Sequence, residues 1–172
     1  FIGSHTVIDL IENGFEPIVV DDFRNSDELI LEGMGRITGV DIPVHCVDLT
    51  DYEELRKVFK MHKFIGIIHF PAYKAVGESV DFPIRYYRNN LNALINVADL
   101  ALEFKVYDFI FSSSCTLYEV PESNAAVNEE TPLCVPDSPY AATKQMGERI
   151  LSDIAKSNDQ FKVLSLRYFN PV

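Results

Sequence analysis

No apolar run in this chain approaches the roughly 20 residues needed to cross a bilayer. Its opening stretch, FIGSHTVIDL, has no basic region ahead of an apolar core. Neither a membrane span nor a secretory signal is therefore expected. Basic residues are scarce: 15 Lys and Arg stand against 26 Asp and Glu, a formal net charge of −11 at pH 7. Binding a phosphate backbone needs a basic surface, so nucleic acid is not an expected partner. A phosphorylated small molecule stays open, because N–H groups at a helix N-terminus hold such a ligand locally. Cysteine is also sparse, with Cys46, Cys115 and Cys134 alone. An odd count at wide spacing is neither a disulfide framework nor a zinc pattern. Reduced, buried cysteines in a cytoplasmic protein are the expectation. His5, His45, His62 and His69 form no HxH or HExxH group, and no metal site is expected. Internal repeats, linkers and low-complexity tracts are lacking too.

What is present is an ordinary globular balance: 172 residues, 47% hydrophobic and 24% charged, enough for one domain or most of one. Nearly continuous apolar runs at 17–22, 44–48, 64–70, 109–114 and 162–169 read as strands covered on both faces. Between them, helical patterns run over 4–14, 51–62, 83–103 and 139–156. The first ends at Gly14. The second stripes Leu55, Val58 and Phe59 on one side, and the third points Leu91, Leu94, Ile95 and Ala98 inward. The fourth has Ser138 as N-cap and Pro139 at N1. This alternation implies right-handed βαβ units in an α/β fold, a Rossmann-like doubly wound parallel sheet that binds ligands at the carboxyl ends of its strands. The proline-bearing loop 122–138 leads into the last helix.

A strand and a glycine-rich turn should open such a sheet, yet the first helix starts at residue 4 behind only FIG. Gly3 would be the last glycine of that turn. The absent strand would be the central one in the order 3-2-1-4-5-6. The strands at 17–22 and 64–70 are then expected to keep one unpaired edge each. The competing expectation is a rearranged sheet that closes the gap. On the first expectation the chain is a fragment, cut within the phosphate loop and again after Pro171.

Asp21 follows Gly3 by 18 positions, close to the spacing at which a carboxylate bonds the adenosine ribose of NAD and repels the extra phosphate of NADP. A strand-end aspartate that merely starts a turn fits equally well. FSSSCTLY (111–118) ends a strand in three hydroxyls. In SPYAATK (138–144), Tyr140 and Lys144 lie one helical turn apart. An ammonium there favours the phenolate and draws the tyrosine toward use as a general base. A chance pair on a solvated helix is the bland alternative, and YxxxK alone does not exclude it.

FIGSHT, VDDFRNS, HFPAYKAVGES, YYRNNLNA, FSSSCTLY, SPYAATK and LRYFNP, in this order, resemble the blocks of the UDP-glucose 4-epimerases of the extended short-chain dehydrogenase/reductase family. The resemblance runs from residue 1 to 172, making the chain a partial NAD-binding domain without the C-terminal substrate domain. It implies conversion of UDP-glucose to UDP-galactose through a 4-keto sugar with tightly held NAD. It implies Tyr140 as base, Lys144 on the nicotinamide ribose and Ser114 on the sugar 4-hydroxyl. Asp21, Asp22, Phe23, Arg24, Asn25 and Ser26 would surround the adenosine ribose, and Asp48 and Leu49 the adenine. Phe70, Pro71, Ala72, Tyr73, Lys74, Asn89 and Phe169 would line the cofactor, Phe1 and Ile2 would belong to the pyrophosphate turn, and Asn170 would reach the UDP-sugar. A homodimer is implied as well. Pro71–Ala72, Ala93 and Glu119 depart from the family pattern; Glu119, where a glycine is usual, is expected to strain its turn. Related dehydratases carry an Asp–Glu pair where this chain has Cys115–Thr116. A non-catalytic nucleotide-binding remnant is the alternative from another class.

Overall fold

The computed structural model describes residues 1–119 and 126–169. Its elements are α1 (Ile2–Glu12), β1 (Val19–Asp21), α2 (Leu29–Thr38), β2 (Val44–Cys46), α3 (Tyr52–Met61) and β3 (Gly66–His69). There follow α4 (Val76–Asp81), α5 (Pro83–Glu103), β4 (Asp108–Ser114), a 3-10 turn at Cys115–Leu117, α6 (Pro139–Ser157) and β5 (Lys162–Tyr168). All pairings between these strands are parallel. Each of the five expected strands is found, trimmed by a residue or more at most ends. Residues 122–125 of the expected loop at 122–138 lie outside the described residues, as does Asn170.

The strands form two sheets, β1-β2 and β3-β4-β5. Among the described residues β1 bonds β2 alone and β3 bonds β4 alone, so the expected open edges are observed and no rearrangement closes the gap there. α1 carries no buried residue, and β1 is only half-buried. Both would gain cover from one more strand in that slot.

Local chemistry sets the helix ends. The Gly14 amide donates to Ile11 O and the Phe15 amide to Leu10 O, both at about 3 Å, with Gly14 at φ 81°. That double bond around a left-handed glycine is a Schellman stop. Asp51 caps α3 through the Glu54 amide at 3.1 Å, and Ser138 caps α6 through the Ala141 amide at 3.3 Å. α2 and α4 were not expected from sequence. α2 has glycines at 33 and 35, which lower helix propensity, and only Met34 is buried.

The core joins α3, α5, α6 and the β3-β4-β5 sheet: Leu55 and Phe59 meet Leu94, Val97 and Leu100, together with Phe109, Phe111 and Leu151. The inward stripe of α5 is Tyr86, Asn90, Ala93, Leu94, Val97, Ala98 and Ala101. Ile95 is exposed, contrary to its expected inward place. The polar Asn90 belongs to the stripe and disguised its phase. The cysteines also differ from expectation: all three are free, but Cys46 is exposed and the others half-buried. Glu119 shows no left-handed strain; its amide donates to Pro132 O at 2.9 Å.

Candidate active site

Two groups of side chains gather at the carboxyl ends of the strands. The first lines a cleft of about 150 Å³. Asp21 ends β1, Asp22, Arg24, Asn25 and Ser26 come from the loop after it, and Asp48 and Leu49 from the segment after β2. Pro71, Ala72 and Tyr73 come from the loop after β3, and Asn89 from α5. Val20, Val47 and Ala93 complete the wall; none of them was expected among the site residues. Parallel pairing of β1 with β2 brings Asp21 beside Cys46, hence close to Asp48. Asp21 accepts from the Phe23 amide at 2.7 Å and the Ser26 hydroxyl at 3.1 Å. Asp48 accepts from the Thr50 amide and hydroxyl at 2.9 and 2.7 Å. These hydroxyl and amide bonds, with the Arg24 guanidinium, hold the Asp48 carboxyl below its ordinary range against the opposing effect of burial.

The second group lies where α6 crosses the end of β4. Ser114 is buried and caps the following turn, accepting from the Thr116 amide at 3.3 Å and the Thr116 hydroxyl at 2.9 Å. Tyr140 is half-buried in the first turn of α6. The Lys144 ammonium lies 5.9 Å from the Tyr140 ring centre and donates to Ser112 O at 2.6 Å. Burial depresses Lys144 to a pKa of about 8. Burial also raises the Tyr140 phenol above its ordinary value, with Ser114 pulling part of the way back. The expected lowering of Tyr140 by Lys144 is therefore not found, because the ammonium is directed at a strand carbonyl instead.

Lys144 gives a pH signature. Its folded pKa lies below the unfolded value near 10.4, so between the two the unfolded chain binds more protons. Stability thus rises as pH climbs from about 8 to about 10.5, by on the order of 3 kcal/mol. Lys144→Met should erase that increment: the stability of the wild type relative to the variant, from denaturant midpoints, should climb across that window. A flat difference would show that the lysine is not held in a desolvated site.

Asn90 ties the two groups together, a role not read from sequence. Its carbonyl oxygen accepts from the Tyr73 amide at 2.8 Å and from the Asn89 side chain at 3.1 Å. Its Nδ2 donates to Tyr73 O and to the Thr143 hydroxyl, both at 3.1 Å. Thr143 donates in turn to Tyr140 O at 2.7 Å. A polar residue at an inward helix position was the available signal. Beneath the serines, Glu148 accepts from Ser113 at 2.5 Å and pairs with Arg167 at 2.7–2.8 Å.

Other expected residues are more scattered. Phe1 is exposed, and Ile2 opens α1. Phe70 faces Gly3, whose missing Cβ would lie 3.7 Å from the Phe70 ring. Phe23 supports the first loop, Lys74 is exposed, and Phe169 stacks on Tyr118 at 6.3 Å between ring centres. The start of α1 has neither a side-chain cap nor an acidic residue in its first turn, which suits an anion. An acidic group for a ribose, apolar walls for a base and this helix start together fit a dinucleotide.

The family described as NAD dependent epimerase/dehydratase matches residues 1–172. The chain belongs to that family. Among curated relatives, a UDP-glucose 4-epimerase of Caenorhabditis elegans is 43% identical over 180 residues, covering 100% of this chain and 52% of the relative. One from Neisseria meningitidis serogroup A is 41% identical over 172 residues, covering 100% and 50%. A crystal structure of UDP-glucose 4-epimerase from Bifidobacterium longum with NAD+ and UDP aligns at a TM-score of 0.96 and 38% identity, covering 100% of this chain and 51% of that one. The chain spans about half the length of the curated relatives it matches. Among the described residues no helix is long and apolar enough to cross a membrane.

Proposed function

We propose that the protein is a UDP-glucose 4-epimerase that interconverts UDP-glucose and UDP-galactose, with residues 1–172 forming its NAD-binding part. The observation that carries this reading is the Ser114–Tyr140–Lys144 group, joined through Asn90 to the Asp21 cleft. NAD held by these residues would supply the hydride chemistry at the sugar C4. This chain supplies the orientation and the proton handling. Asp21 holds the adenosine ribose, and its charge disfavours NADP. Asp22, Phe23, Asn25 and Ser26 shape that end, and Asp48 and Leu49 flank the base.

Phe70 to Lys74, Asn89 and Phe169 line the rest of the cofactor path, with Phe1 and Ile2 at the pyrophosphate. Lys144 holds the nicotinamide ribose. Ser114 bonds the sugar 4-hydroxyl and Tyr140 accepts its proton, while Asn170 reaches the UDP-sugar. The cytoplasm is the proposed setting. Exposed Ile84, Ile95 and Met146 on α5 and α6 support pairing of two copies.

Denaturing the purified full-length protein should release NAD at close to one equivalent, and the native protein should convert UDP-galactose to UDP-glucose without net NADH. Protein without nucleotide and without turnover would leave a non-catalytic remnant as the better reading.

A further inference from the structure

Glu148 is a largely buried charge that the proposed proton transfer does not use. It continues the stripe of the residues that do: Tyr140, Lys144 and Glu148 follow at four-residue spacing along one face of α6. Its side chain is 15% exposed, and that of its partner Arg167 20%. Oε1 accepts from the Ser113 hydroxyl at 2.5 Å and from Arg167 Nε at 2.8 Å. Oε2 accepts from Arg167 Nη2 at 2.7 Å. Ser113 and Arg167 are direct partners across β4 and β5. One carboxylate thus fastens α6 to both strands just where they run into the site.

Two segments leave the sheet there. Ser114 follows Ser113 and caps the 3-10 turn, which Tyr118 closes by donating its amide to Cys115 O at 3.1 Å. The Arg167 guanidinium, held by two bonds to Glu148, stands 4.9 Å from the Tyr118 ring centre. The same ring stacks on Phe169, two residues past Arg167. With three donors on it, the Glu148 carboxylate is not free to act as a base. The cost of desolvating an ion pair is comparable to the attraction it gains, and packed apolar residues often stabilise as well. Stability alone gives little reason for this pair, whereas its geometry gives one. We propose that Glu148 is a positioning residue for the epimerase reaction. Through Ser113 and Arg167 it sets the turn that presents Ser114 to the sugar, and the Tyr118 ring that seats the end of β5. This rests on the reading of Ser114, Tyr140 and Lys144 as the proton-handling group.

The test uses the full-length protein with its bound NAD. It compares wild type with Glu148→Gln and with the double variant Glu148→Leu/Arg167→Met. Thermal midpoint, NAD released on denaturation, KM for UDP-galactose, and kcat across pH are measured. Glutamine leaves Arg167 without its counter-charge, so the midpoint should fall by a few degrees. The double variant removes both charges and should regain the wild-type midpoint. In both, kcat should still be about ten- to a hundredfold lower, the scale of a misplaced group at the reacting atoms. KM and NAD content should change little. The rise of kcat with pH should persist, because Tyr140 still accepts the proton. Wild-type kcat in either variant would overturn the assignment. So would a double variant that stays below the wild-type midpoint, since the pair would then act on stability. A lost pH slope would make Glu148 a proton carrier, and lost NAD would move its effect to the cofactor; either result overturns the positioning role. Wild-type protein with neither nucleotide nor turnover would instead remove the epimerase reading itself.

Discussion

Tyr140→Phe in the full-length protein is expected to lower kcat by about 10²- to 10⁴-fold, the usual worth of a positioned general base. Bound NAD and the thermal midpoint should stay as they are. The substitution keeps the ring that packs at the start of α6 and removes only the oxygen facing Ser114. Among the described residues no base is placed to replace it. The Lys144 ammonium is committed to Ser112 O at 2.6 Å. His69 is buried between Phe109 and Phe111, and desolvation, helped by Lys144, depresses its pKa to about 3. Because burial raises the Tyr140 phenol, its basic form grows as pH climbs. Wild-type kcat should therefore increase from neutral toward alkaline pH, and the phenylalanine variant should lose that slope. Turnover within a few-fold of wild type, or an unaltered pH profile, would take the proton-accepting role away from Tyr140.

Gly147→Val should be the most destabilising of these substitutions. A Cβ at this position would lie 2.6 Å from Phe111 Cζ and 3.0 Å from Leu94 Cδ2. Phe111 and Leu94 are both buried, so neither ring nor methyl group can swing into solvent. Overpacking of this kind costs about 3 kcal/mol, which for a chain this size lowers the thermal midpoint by roughly 6–12 °C. Alanine should cost less, since the gain of about 1 kcal/mol in helix propensity offsets part of the clash. The loss would reach the site as well. Gly147 follows Lys144 by three residues and lets α6 sit close enough to β4 for the ammonium to reach Ser112. A valine variant that folds should therefore show reduced kcat with NAD still bound. A midpoint equal to wild type would mean that α6 is not seated against β4 as described.

Much of this was legible in the sequence because it is local. Ser138–Pro139 starts α6, Gly14 stops α1, and the apolar runs become parallel strands with Asp21, Asp48 and Ser114 at their ends. Even the open edges of β1 and β3 followed from counting elements. The rest depends on contacts distant in sequence. Asn90 reads as an exposed polar residue until its four bonds to Tyr73, Asn89 and Thr143 are seen. Gly147 reads as a weak helix residue until Phe111 and Leu94 are placed against it. α2 was hidden by its glycines, and Ile95 was turned inward by a stripe misplaced by one residue. The direction of the Tyr140 shift was missed for a related reason. Sequence spacing sets the distance between Tyr140 and Lys144 along a helix, but the strand beneath decides where the ammonium points.

The most direct measurement is the separation between Tyr140 Oη and the sugar 4-oxygen in a crystal structure of the full-length protein with NAD and a UDP-sugar. The account predicts hydrogen-bond contact, about 2.6–3.2 Å, with Ser114 on the same oxygen and the adenosine ribose on Asp21. A Tyr140 hydroxyl turned to bulk solvent, or a dinucleotide seated away from the Asp21 cleft, would contradict it.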